Sequence, residues 1–290
     1  MTSPQGPEND LRREIEEVDA AIHDLLMRRT ELAAATGAAL RPGSEAQSLR
    51  RLIGRHRGPF PKRILVRIWR EILSALAALE SPMAVAAYAP EQGVDLRGLA
   101  RDHFGSESPL ASCETTTSVL RQVTEGQAKV GVVPLPRDGE ADPWWRHLAR
   151  GGAVVPRIVA RLPFAALEPA RAADADGLVI ALDAPAEASG GSGADHSFIV
   201  VETGEHLSRS RLTRLLTEAG LTAVNIQVWS DHSDHRLHLI EVEGHVPGGD
   251  RRLTALLEAG DPDVSHLWSV GGYPIPLSPG ELAAPALAEA

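Results

Sequence analysis

The chain has 290 residues, 43% hydrophobic and 23% charged, with a net charge of −10. That is room for two or three soluble globular domains. No apolar run reaches the ~18 residues of a membrane span, so no spanning helix or membrane partner is expected, and the acidic balance argues against nucleic acid. Thirteen Lys and Arg against eleven Asp and Glu give residues 1–82 a charge of +2 and leave −12 for the remainder, so a local cationic site for a small anion remains open. "MTSPQGPEND" carries no basic region followed by an apolar one, so no secretory signal is expected. Cys113 is the only cysteine, which fits a structural thiol in a reducing, cytoplasmic setting.

The first predicted element is a helix from about Asn9 to Ala39. Leu11, Ile15, Val18, Ile22, Leu25, Arg29, Leu32 and Thr36 recur at alternating steps of 4 and 3. This is the stripe of a helix that packs on other helices, and one of its positions holds an arginine. After "RPG", Ser44 is a candidate N-cap for a short helix to about His56. "GPFP" then leads into a third helix from about Lys62 to Glu80, with Ile64, Ile68, Trp69, Ile72, Leu76 and Leu79 expected inward. Two short helices cannot cover a first helix of that length, so a second copy paired through it is expected.

Beyond "ESP", "MAVAAYAP", "KVGVVPLP" and "AVVPRIVARLPF" read as strands. A helix near Leu96–Phe104 and a Thr-capped helix ended by Gly126 alternate with them, which predicts an α/β layer with a mostly parallel sheet. A weak stretch from about Glu168 to Asp195 includes the linker-like "EASGGSGAD"; its "GGSG" precedes no helix and is no phosphate loop. The last part reads β-α-β-β-α-β, a ferredoxin-like order. The expected organisation is thus an all-α domain over 1–82, an α/β region over 83–195 and an α+β domain over 196–290. "DHSDHRLH" offers His232, His235, His238, Asp231 and Asp234 at metal-ligand spacings, but His238 is expected in a strand and the others in a hairpin turn, where Asp and Ser are common, and solvated turn residues are the favoured reading. "DPWWRHL" is read as packing. No metal or cofactor is expected.

"LRREIEEVDAAIHDLLMRRTELA" with "RIWREILSALAALE" resembles the all-helical chorismate mutases. "VAAYAP…LARDHFG…VLRQVTEGQAKVGVVPLP" resembles the first lobe of prephenate dehydratase, and the terminal module ending "VGGYPIPL" resembles an ACT domain. In that order they resemble the bifunctional mutase–dehydratase family. The resemblance implies an isomerase of aromatic amino-acid biosynthesis in the shikimate pathway, converting chorismate to prephenate. Arg12, Arg29 and Arg41 would bind substrate, and Arg12, Arg29, Glu45 and Glu80 would form the catalytic set. Arg12 and Arg29 lie 17 residues and so about 25 Å apart on one helix, so an antiparallel partner would supply one to the other's site.

The chain also departs from the family pattern. Leu40 stands where the family has a lysine, Ser44 where it has an arginine, Leu76 where it has a serine and Glu80 where it has a glutamine. Weakened mutase activity is therefore expected; the alternative is a non-catalytic homologue that binds a pathway metabolite or regulates a partner mutase. The dehydratase Thr-Arg-Phe would fall at His196, Ser197 and Phe198, and about thirty residues are too few for a second lobe. Dehydratase activity and phenylalanine feedback are not expected.

Overall fold

A computed structural model describes residues 5–36, 42–149, 155–165, 176–182, 194–230, 234–259 and 262–283. The linker-like stretch around "GGSG", Leu40, Arg41, Asp231 and His232 lie outside the described residues. Three helices open the chain: α1 (Gln5–Thr36), α2 (Pro42–Arg55) and α3 (Lys62–Glu80). At 32 residues, α1 is about 48 Å long. Arg12 and Arg13 reach Glu8, Asp10 and Glu17 one turn away, spacings that favour helix. Ser44 falls inside the first turn of α2, not at its cap, because Pro42 takes the opening position that a proline's fixed φ suits.

The stripe of α1 is not covered within one chain. Leu11, Ile15, Val18, Ile22, Leu25 and Leu32 are 52–66% exposed. On α3, the expected inward set is also corrected. Leu76 is buried as expected, but Ile64, Ile68 and Leu79 are exposed, and Val66 and Arg70 are buried in their place. The reason is what α2 and α3 pack against. Ala46, Leu49, Ile53 and Val66 share a core with Phe164, Ala165, Leu277 and Leu282 from much later in the chain. Lys62 Nζ donates to the Glu281 carbonyl at 2.9 Å, and Arg50 donates to that of Ile275.

The remaining elements build one sheet. Its strands are β1 (Val85–Tyr88), β2 (Leu110–Cys113), β3 (Val130–Pro134), β4 (Arg157–Leu162) and β5 (Gly177–Ala181), followed by β6 (Asp195–Gly204), β7 (Ala223–Trp229), β8 (His235–Glu243) and β9 (Val264–Pro274). The order is β2-β1-β3-β5-β4-β9-β6-β8-β7. β1 runs parallel to β2 and β3, but β5 is antiparallel to both β3 and β4. The mostly parallel expectation therefore fails at β5, which the sequence reading left in a weak stretch. Buried along its whole length, β5 shows no alternation to read.

Helices cover the sheet on both faces. α4 (Arg97–Phe104) packs with Met83, Val85 and Val130 on one face. α5 (Thr116–Thr124), capped by Thr115 onto the Ser118 amide at 3.1 Å, packs on the other with Trp144 and Trp145, buried in a short 3-10 helix. Cys113 is buried there too, and desolvation pushes its thiol pKa up. The final module is β6-α6-β7-β8-α7-β9, with α6 (Arg209–Glu218) and α7 (Arg251–Glu258) on one face. Ile199 and Val201 point to these helices while Phe198 and Val200 point to the opposite core, the alternation of a strand buried on both sides. His238 lies on strand β8, as expected, and is buried there with Nε2 2.9 Å from Thr203 Oγ1.

β4 and β9 join the two strand sets into one sheet. Ile158 pairs with Gly271, whose φ is 110°. A Cβ at Gly271 would lie 2.1 Å from the Ile158 carbonyl oxygen, so only glycine permits the approach. The α/β strands and the ferredoxin-like strands are thus one hydrogen-bonded surface where the sequence suggested two. Behind β9, Ser278 and Glu281 cap α8 (Pro279–Leu282), the turn that supports α2.

Candidate active site

Within one chain the expected site residues fall into two environments. Arg12 sits on the exposed flank of α1, its Nη2 2.8 Å from Glu8. Arg29, 17 residues further along α1, is half-buried; its Nη1 is sealed from solvent and has no acceptor among the described residues. An unsatisfied buried donor of this kind costs about 1–3 kcal/mol. Glu80 ends α3 on the surface. Arg12, Arg29 and Glu80 therefore border the uncovered apolar face of α1 and the end of α3.

Glu45 is elsewhere. In the first turn of α2 it accepts from Arg70 Nη1 at 2.9 Å. Arg70 is 5% exposed, with its guanidinium 4.9 Å from the centre of the Phe164 ring, and Arg50 lies 5.7 Å from the same ring. Burial pulls the Arg70 pKa down and Glu45 opposes the shift. The nearby His103 is held well below its ordinary value, first by burial and then by the Arg70 charge. Sequence reasoning missed Arg70. Its signal was a second stripe on α3, Val66, Arg70, Leu73 and Ala77, at steps of 4, 3 and 4. Ser44 is exposed, and Leu76 is core.

Helix order, an arginine on an apolar helix face and a glutamate opening the second helix are the features to compare with known proteins. Residues 11–81 match the family model of chorismate mutase type II. The chain is also 34% identical over 135 residues to a bifunctional chorismate mutase/prephenate dehydratase of Neisseria gonorrhoeae, covering 44% of this chain and 37% of that protein. A protein of the same description from Stutzerimonas stutzeri is 32% identical over 146 residues, 45% of this chain and 39% of its own length. These alignments are longer than residues 11–81, so the similarity runs on beyond that match. The chain spans less than two fifths of the curated relatives it matches. Among solved structures, prephenate dehydratase from Arthrobacter aurescens in complex with L-Phe superposes with a TM-score of 0.47 at 14% identity, covering 68% of this chain and 94% of that one.

Downstream of residues 11–81, the positions where the dehydratase triplet would fall serve the fold. His196 Nδ1 lies 2.7 Å from Glu241. Ser197 Oγ donates to the Gly244 carbonyl and accepts from the Val246 amide, both at 2.8 Å. Phe198 is core. Among the described residues no helix is long and apolar enough to cross a membrane.

Proposed function

We propose that this chain is a cytoplasmic chorismate mutase of aromatic amino-acid biosynthesis, working as a homodimer paired through α1 and without dehydratase activity. The observation that carries the reading is Arg29: a half-buried cation whose Nη1 has no acceptor among the described residues, on the apolar face of a helix in the segment that matches the chorismate mutase model. An antiparallel second α1 covers the exposed leucines and isoleucines and brings the partner's Arg12 toward Arg29. Chorismate rearranges in a single pericyclic step, with no proton transfer. The site's work is to hold two carboxylates and stabilise charge on the breaking ether oxygen. Arginine forks suit the carboxylates because they bind bidentately and keep their charge. Arg41 is assigned to the same substrate anion, and Glu80 faces the ether oxygen.

A specific observation favours a second reading, a non-catalytic homologue that binds the metabolite or regulates a partner mutase. Glu45 is engaged by Arg70 instead of facing the α1 arginines, and Leu76 is buried in place of a polar side chain. Following chorismate disappearance with purified protein between about pH 5 and 8 tests the proposal. Turnover that is lost in Arg29→Ala supports it; no turnover above the uncatalysed rate, with chorismate still binding, supports the second reading.

A further inference from the structure

Away from the helices, the open face of the C-terminal strands and the segment after β3 enclose a pocket of about 140 Å³. An apolar cavity of ~150 Å³ is large enough for benzene, so this one takes a single ring or a short branched chain. Phe198, Leu178 and Leu239 give it an apolar lining. Its polar groups are unequally satisfied. Gln227 Nε2 donates to the Pro136 carbonyl at 2.8 Å, which fixes the amide orientation because a carbonyl only accepts. Gln227 Oε1 is then buried with no donor among the described residues. Glu241, 9% exposed, receives both the Tyr273 hydroxyl and His196 Nδ1 on Oε1. No described residue donates to its Oε2. The one cation in the lining, Arg161, is engaged by Asp176 at 3.0 Å and by the Tyr273 hydroxyl at 3.2 Å.

We propose that this pocket binds a small primary amine with an apolar body, its ammonium donating to Glu241 Oε2 and Gln227 Oε1. Gln227 Oε1 is a buried acceptor without a donor among the described residues, and the Glu241 carboxylate lines the same pocket; unmade hydrogen bonds of buried groups are the costly ones. A carboxylate ligand is disfavoured: it meets the Glu241 charge, and Asp176 already matches Arg161. A neutral alcohol of the same shape makes the hydrogen bonds without the charge assistance that strengthens them. The site shares no residue with the proposed mutase site, so the two readings stand or fall separately.

Calorimetric titration of the full chain with benzylamine, benzyl alcohol and benzoate at neutral pH tests this. Benzylamine is expected to bind at least ~10-fold tighter than benzyl alcohol, the margin of one charge-assisted hydrogen bond, with benzoate weakest. Glu241→Gln brings benzylamine to the alcohol's level. Gln227→Met weakens benzylamine binding without touching the Tyr273 and His196 contacts, which covers the case of a Glu241 variant that does not fold. Asn225→Trp, at an exposed lining position on β7, blocks all three ligands while leaving the unfolding temperature unchanged. Benzoate binding tighter than benzylamine, benzylamine binding that survives Asn225→Trp, or no binding of any ligand overturns the proposal.

Discussion

Arg70 reaches back from α3 to Glu45 on α2 at 2.9 Å, and its guanidinium lies over Phe164, which follows β4. One side chain thereby ties α2 and α3 to the sheet region. Removing one member of a buried ion pair strands the other, at about 3–5 kcal/mol. Glu45→Ala is therefore expected to lower the unfolding free energy by that order and the denaturant midpoint with it. Glu45→Leu combined with Arg70→Met, which replaces both charges by apolar groups, recovers most of the loss. Urea unfolding of the single and double variants checks both.

Arg29→Ala behaves differently. It removes a buried donor without an acceptor, so unfolding stability does not fall and far-ultraviolet dichroism stays helical. Under the proposed function chorismate turnover drops by roughly 10²–10³-fold or more, the scale of losing one charge-stabilising donor. Equal turnover in variant and wild type removes the catalytic role of Arg29.

Glu80→Gln is expected to raise turnover at neutral pH by up to ~10²-fold. A carboxylate accepts hydrogen bonds but does not donate them, whereas a glutamine amide donates to the ether oxygen at every pH. Unchanged turnover places Glu80 outside the site.

His238 makes stability depend on acid. Burial, helped by the Arg236 and Arg209 charges, lowers its pKa from 6.5 to about 4. Above about pH 6.5 neither folded nor unfolded chain holds the proton, and this group contributes no slope. Between 6.5 and 4 the unfolded chain binds the proton and the folded chain does not, so stability falls as pH falls, by about 3 kcal/mol in all. His238→Gln is expected to flatten that part of the acid limb, as measured by denaturant midpoints at a series of pH values.

Light scattering reads the proposed pairing through α1. A dimer at micromolar concentration is expected, and Leu25→Glu on the exposed stripe is expected to shift it to monomer. A wild-type chain that is monomeric throughout refutes the pairing.

Elements bounded by punctuation were legible in the sequence. α3 begins after Pro61 and ends at Ser81, and Thr115 and Gly126 bracket α5. What periodicity could not reveal was which stripe of α3 would be covered. Ile64 and Ile68 form an apolar row as good as that of Val66 and Ala77, and the choice was made by Phe164 and Leu277, which no local pattern connects to α3. β5 was hidden because a strand buried on both faces loses its alternation. In the candidate site, Arg29 stood out because its charge interrupts an apolar row. The engagement of Glu45 did not, since its partner lies on another helix and is buried by a residue from beyond β4.

The order in which the chain is synthesised meets a difficulty at α2. Arg50 is held by the Ile275 carbonyl, 225 residues later in the sequence, and its neighbour Leu49 is covered by the same C-terminal segment. At ribosomal rates of ~5–20 residues per second, those 225 residues take roughly 10–45 s to emerge. Throughout that interval the first-made helices lack their own ceiling, and the apolar face of α1 is bare as well. A nascent chain of this protein therefore shows apolar surface on α1 and α2 before the segment that covers α2 is made, and a holding chaperone or the α1 of a neighbouring nascent chain can reach it in that interval.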